Sequence, residues 1–136
     1  MAAVEKKRIL AVDDDASICE FYETTLDLLG YDVRVAANAR IAKETILLHR
    51  PDLILMDIMM PDQDGISLTR ELRNDRKTSD IPILMVSGLA DAGTLQDALL
   101  FGAVGYLVKP VDVDALKAKI DSTLTAIEHR NSKKQA

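Results

Sequence analysis

Five short apolar runs recur along the chain: Arg8–Asp13 (RILAVD), Asp32–Ala36 (DVRVA), Leu53–Asp57 (LILMD), Ile81–Ser87 (IPILMVS) and Ala103–Val108 (AVGYLV). The third is apolar without alternation, which predicts a strand covered on both faces. Between the runs the apolar spacing changes to that of helices. Ile18, Tyr22, Leu26 and Leu29 form one helical stripe that stops at Gly30, a natural helix terminator. Ile41, Thr45 and Leu48 mark a second helix ended by Pro51, and Ile66, Thr69 and Leu72 mark a third. Leu95, Ala98 and Gly102 mark a fourth; Val113, Leu116, Ile120, Leu124 and Ile127 mark a fifth, with Asp112 as its N-cap. Strands and helices alternating at this spacing predict parallel βαβ units and a doubly wound α/β sheet.

In such a sheet the ligand site lies beyond the carboxyl ends of the strands. The residues at those ends are therefore the ones to read. The first run ends in Asp13-Asp14, with Asp15 next; the third ends in Asp57, the fourth in Ser87, and the fifth in Lys109-Pro110. The second ends in Ala36-Ala37-Asn38 and offers little chemistry. Each residue alone has an ordinary explanation as a cap, a turn residue or a solvated side chain. Together, on converging strand ends, they form a candidate site.

Composition narrows the setting. At 136 residues, 48% apolar and 29% charged, the chain suits one soluble globular domain. The formal charge of −5 gives no whole-chain electrostatic footprint for nucleic acid. A single cysteine, Cys19, excludes an internal disulfide framework and fits a reducing cytoplasm. No apolar stretch is long enough to span a bilayer, so no membrane insertion is expected. Residues 1–6 and the polar stretch HRNSKKQA at 129–136 read as loose ends.

The residue types at the rim suggest their chemistry. Clustered carboxylates repel and raise at least one pKa unless a cation joins them. One or two carboxylates with a backbone carbonyl, waters and phosphate oxygens suit Mg²⁺. Lys109 is a point charge fit for a phosphoryl group, Ser87 supplies a hydroxyl donor, and a carboxylate nucleophile can form an aspartyl-phosphate. Asp57 is then the central candidate nucleophile.

The motifs ILAVDDD, PDLILMDIMMPDQDG, PILMVSG and GAVGYLVKP resemble, in order and spacing, the receiver domains of two-component response regulators, the family that includes CheY. The likeness runs from about residue 8 to 128, which implies a receiver domain over 7–128 and a polar tail over 129–136. It implies a (βα)5 flavodoxin-like three-layer sandwich with a five-stranded parallel sheet of order 2-1-3-4-5. Carried over by residue, it implies Asp57 as phosphoacceptor and Asp13, Asp14, Asp57 and the Met59 backbone carbonyl as Mg²⁺ ligands, Asp13 through water. Ser87 and Lys109 would hold the phosphoryl group, Ser87 and Tyr106 would form the switch, and the Lys109-Pro110 bond would be cis.

The implied partners are a sensor histidine kinase or histidine phosphotransfer protein and a downstream protein target. That target would bind the surface of the fourth helix, fifth strand and fifth helix; phosphorylation-dependent dimerisation is compatible with the same surface. Direct nucleic-acid binding is not expected, and the protein is expected to be no conventional enzyme although it catalyses its own phosphorylation. Gly88 stands where many receivers have alanine. Met59 and Leu89, both apolar here, occupy positions that govern water access, which predicts slow self-dephosphorylation. Two rivals remain: a receiver-like interaction module no longer phosphorylated, and a haloacid-dehalogenase-type phosphohydrolase. The latter leaves Asp57 without a role and lacks a late acidic strand end. A nucleotide-binding domain would need a glycine-rich phosphate loop, and none is present.

Overall fold

The computed structural model describes residues 5–135, with side chains through residue 131; residues 1–4 and 136, which belong to the expected loose ends, lie outside the described residues. Ten elements alternate along the chain. They are β1 (Arg8–Val12), α1 (Ala16–Leu28), β2 (Asp32–Ala36), α2 (Ala39–Leu48), β3 (Leu53–Met56), α3 (Gly65–Arg73), β4 (Ile83–Ser87), α4 (Ala92–Leu100), β5 (Gly105–Val108) and α5 (Val113–Gln135). All neighbouring strands are parallel and the sheet order is β2-β1-β3-β4-β5. This is the doubly wound flavodoxin-like arrangement.

The unbroken apolar runs follow from a sheet covered on both sides. Because strand side chains alternate between faces, each run divides its residues between two cores. Ile9, Ala11, Leu53, Leu55, Leu84 and Val86 face Tyr22 and Leu26 of α1 and Leu116, Ile120 and Leu124 of α5. Leu10, Val12, Ile54, Met56, Ile83 and Met85 face Ala42 and Ile46 of α2, Leu68 and Leu72 of α3, and Ala98 of α4. All four residues of β3 are buried. Edge strand β2 alternates exposed and partly buried positions until Ala36.

Several expected boundaries shift, β1 and β3 each ending one residue before its aspartate. β4 starts at Ile83 rather than Ile81: Pro82 has no N–H, and the Ile81 N–H closes a turn onto the Thr78 carbonyl at 3.1 Å. β5 starts at Gly105 rather than Ala103, and α4, capped by Asp91, runs Ala92–Leu100, so Gly102, at φ 120°, lies beyond the helix it was expected to mark. On α2 the buried positions are Ala39, Ala42 and Ile46, whereas Leu48 is 78% exposed. Alanine lets the helix approach the sheet closely, so the small residues, not the leucines, mark its inner face. The fifth helix runs as backbone helix to Gln135.

Candidate functional site

Register brings the acidic residues together. Val12 on β1 pairs with Met56 on β3, so Asp13 and Asp57 are the next residues beyond two adjacent, aligned strand ends. The chain leaves β1 toward β2 on one side while β3 lies on the other, which makes this the switch point of the sheet. The Asp57 N–H donates to the Val12 carbonyl at 2.9 Å, and the Asp13 N–H donates to the Ala36 carbonyl at 3.0 Å. Both aspartates are thereby stitched to neighbouring strands at their first residue past the sheet. On the other side Ser87 pairs in register with Val108, so Lys109 emerges one residue further along.

The side chains converge. Lys109 Nζ lies 2.6 Å from Asp13 Oδ2 and 3.2 Å from Asp57 Oδ2. Asp13 and Asp57 are buried, at 1% and 8% exposure, and Asp14 stands exposed at the rim. One carboxylate oxygen from each of Asp13, Asp14 and Asp57 lies within 4.8 Å of the others. The Ile58 N–H donates to Asp57 Oδ1 at 2.8 Å and fixes the carboxylate plane. The Asp15 N–H donates to Asp13 Oδ1 at 2.9 Å, and the Cys19 thiol donates to the Asp13 carbonyl at 3.1 Å. The three consecutive aspartates thus divide their work: Asp13 is paired inside and Asp14 faces out. Asp15 caps α1, accepting from Ser17 and Ile18 N–H.

Charge explains the chemistry of this cluster. Burial, reinforced by the nearby Asp13 carboxylate, pushes the Asp57 carboxyl above its ordinary range; Lys109 and the Ile58 N–H act in the opposite sense. Burial would lower the Lys109 ammonium, but the hydrogen bond and charge of Asp13 and the charge of Asp57 outweigh it and hold Lys109 above its usual value. Three carboxylates meet one lysine, a formal −3 against +1, leaving −2 (Asp13, Asp14, Asp57; Lys109). An excess of hard anionic oxygens open to solvent on one side fits a small divalent cation such as Mg²⁺.

Beyond the cluster, Ser87 is 1% exposed and its Oγ accepts the Leu89 N–H at 3.3 Å. The Tyr106 hydroxyl donates to the Leu89 carbonyl at 2.6 Å, so both residues hold the same point of the β4–α4 connection. The Lys109-Pro110 peptide bond is cis, as the family resemblance implies. Met59 stands 65% exposed at the mouth of the site, and Leu89 is half-buried. An apolar hollow of about 380 Å³ opens next to Lys109, walled by Ile18, Phe21, Val86, Pro110 and Val111.

Two contributors escaped the sequence reading. Gly65 opens α3 where a Cβ would sit 2.1 Å from the Asp57 carbonyl oxygen, and its N–H donates to the Ile58 carbonyl at 2.7 Å. Nothing in the sequence says which backbone this glycine meets. Asp62 contacts α2, 22 and 23 residues upstream, through a pairing that no local pattern encodes.

Comparison with known proteins agrees with this geometry. A family model described as the response regulator receiver domain matches residues 9–121. The chain is 39% identical over 129 residues to the probable transcriptional regulator ycf27 of Porphyridium aerugineum, covering 95% of this chain and 52% of that protein. It is 38% identical over 120 residues to the DNA-binding dual master transcriptional regulator RpaA of Synechocystis, covering 86% of this chain and 48% of that one. The chain thus spans about half the length of these curated relatives. Among solved structures, a CheY-like response regulator receiver domain protein from Methanospirillum hungatei superposes with a TM-score of 0.86 at 33% identity, covering 93% of this chain and 99% of that one. A family match across most of the chain, on the fold and strand ends described above, leaves one assignment: the chain belongs to the response regulator receiver domains of two-component signalling.

Proposed function

We propose that Asp57 accepts a phosphoryl group from a phosphohistidine on a sensor kinase or phosphotransfer protein. The observation that carries this reading is the buried Asp57 carboxylate held between Lys109 Nζ at 3.2 Å and the Ile58 N–H at 2.8 Å, beside two further aspartates. An Asp57 oxygen would form the new bond to phosphorus as the bond to the imidazole nitrogen breaks, the leaving imidazole taking up a proton. Lys109, shared between Asp13 and Asp57, is within reach of the transferred charge and would move onto it. Asp13, Asp14, Asp57 and the Met59 backbone carbonyl would hold Mg²⁺. When bound, that ion supplies positive charge that eases the approach of an anionic donor. The apolar hollow beside Lys109 would receive the partner that carries the histidine.

Phosphorylation would draw the Ser87 hydroxyl toward the new phosphoryl oxygens. Ser87 Oγ would then give up the Leu89 N–H, and the Tyr106 tether on the Leu89 carbonyl would be free to move with it. That shifts a two-state equilibrium read at the face of α4, β5 and α5, where Leu99, Leu100, Val104 and Val108 are exposed. A protein docking on this face, or a second copy, is the proposed output. The relatives' names modify the expectation that nucleic acid plays no part: a downstream partner that acts in transcription is the output they favour.

Incubation with phosphoramidate and Mg²⁺, followed by intact mass, tests the reading. A stable gain of one phosphoryl group, absent in Asp57→Asn, is expected. No adduct would leave the non-phosphorylated interaction module, and continuous phosphate release from a phosphoester, assayed in parallel, would favour the hydrolase.

A further inference from the structure

The connection from β3 to α3 carries Met59, and its outer part is fastened to a third element as well as to α3, where Gln63 Nε2 donates to Ser67 Oγ at 3.1 Å. Asp62 reaches across to the start of α2, where its Oδ1 accepts the Ala39 N–H and its Oδ2 the Arg40 N–H, both at 3.1 Å. Those are first-turn N–H groups, which a helix cannot satisfy internally. The helix's own cap, Asn38, takes a different one, the Ile41 N–H at 2.8 Å. A second strap lies beside the first, with Lys43 Nζ on Gln63 Oε1 at 3.4 Å. The junction of β2 and α2 also holds the other half of the site, since the Ala36 carbonyl accepts the Asp13 N–H at 3.0 Å. One junction therefore anchors both acidic segments: Asp13 through Ala36, and the Met59-bearing connection through Asp62.

We propose that Asp62 is a positioning residue for the cation site, setting the distance of the Met59 carbonyl and the surrounding connection from Asp13 and Asp14. This rests on the phosphoacceptor reading, in which that carbonyl is a ligand. A bidentate carboxylate on two backbone donors fixes both position and orientation. Without it, the connection is left with the Gly65 N–H on the Ile58 carbonyl at 2.7 Å, the Asp64 cap of α3 and the side-chain contacts of Gln63 with Lys43, Ser67 and Glu71. Mg²⁺ demands near-ideal octahedral geometry, so a loosened ligand lowers affinity more than it lowers reactivity once the ion is bound.

The test measures Mg²⁺ affinity by NMR titration of the amides of residues 13–14 and 57–64, alongside phosphoryl uptake from phosphoramidate across Mg²⁺ concentrations. Asp62→Ala should weaken Mg²⁺ binding about tenfold, the lower end for losing a group that supports a metal ligand. Its uptake rate at saturating Mg²⁺ should stay within about twofold of wild type, because the residues at the phosphoryl group remain in place. Asp62→Asn, which keeps one acceptor, should fall between the two. Asn38→Ala removes a cap from the same helix without touching the connection. It should lower the melting temperature and leave Mg²⁺ affinity unchanged. Unchanged affinity in Asp62→Ala, or an equal loss in Asn38→Ala, would overturn the proposal and make Asp62 a helix cap alone. A wild type that binds no Mg²⁺ and takes up no phosphoryl group would instead overturn the phosphoacceptor reading together with it.

Discussion

Asp57 is built to be uncomfortable when nothing is bound. Its folded pKa is raised, chiefly by burial and then by Asp13, so the native state holds the proton to higher pH than the unfolded chain does. The sign follows: this residue's contribution to stability is most favourable at low pH. It declines as pH rises from the ordinary carboxylate range, about 4, through the raised folded value, and at neutral pH it counts against the fold. Asp57→Asn keeps an oxygen for the Ile58 N–H and removes the repulsion with Asp13. The variant should melt higher than wild type at pH 7 in metal-free buffer, with a gain of 1 kcal/mol appearing as roughly 3–5 °C in a domain of this size. The advantage should shrink as pH falls toward about 4. A variant that melts lower at pH 7 would show that the Lys109 contact outweighs the repulsion. Met59 and Leu89 make the complementary argument for the phosphorylated state. Neither can orient a water, and Met59 lines the same opening as Asp14. Met59→Asn should shorten the phosphoryl lifetime several-fold, measured as loss of the adduct in Mg²⁺ buffer; a longer lifetime would contradict it.

The connection between β3 and α3 decides how tightly Asp57 is held. A Cβ on Gly65 would lie 2.1 Å from the Asp57 carbonyl oxygen and 2.9 Å from Met56 Cγ, and the carbonyl is backbone that cannot swing aside. Gly65→Ala should therefore displace Asp57, the proposed phosphoacceptor. We expect a loss of about 1–3 kcal/mol, the usual scale for forced overpacking, seen in chemical denaturation, together with slower phosphoryl uptake. A variant with wild-type stability and uptake would show that the connection relaxes freely. The same element shows what the sequence could tell. Leu53–Met56 announces a doubly covered strand because strand periodicity is local and its burial leaves no polar position. Asp57, Asp13 and Lys109 could be placed at one rim because parallel topology puts all strand C-termini on one side. The start of α4 was obscured because Ala92, Gly93 and Thr94 carry no apolar stripe; its cap, Asp91, resembles any loop aspartate. The inner face of α2 was misplaced because alanine packs closely yet weighs little in a hydrophobic pattern. Contacts such as Asp62 with α2 depend on which distant backbone groups lack partners, and only the assembled fold determines that.

Across the molecule, stability and function are kept at different places. The two cores lie along the sheet, with Leu26, Ile54, Leu84 and Ile120 all at 0% exposure, whereas the like charges gather at one end of it. A cation that neutralises that end should therefore stabilise the whole fold without altering its cores. Free Mg²⁺ at ten times its dissociation constant would add about 1.4 kcal/mol to the native state, or roughly 4–7 °C in melting temperature. NaCl at matched ionic strength should do much less, because buried charges are poorly screened by salt. The core variant Ile120→Val should begin about 0.5–1.5 kcal/mol less stable and show the same Mg²⁺ increment, since distant, independent sites contribute additively. In Asp57→Asn the increment should nearly vanish. Equal shifts with NaCl, or an undiminished Mg²⁺ shift in Asp57→Asn, would mean that the ion acts on general surface charge. Thermal melts of the three proteins in the two salts separate these outcomes. An increment that follows Asp57 and ignores Ile120 would tie the cation to the end of the sheet where the phosphoryl group is proposed to arrive.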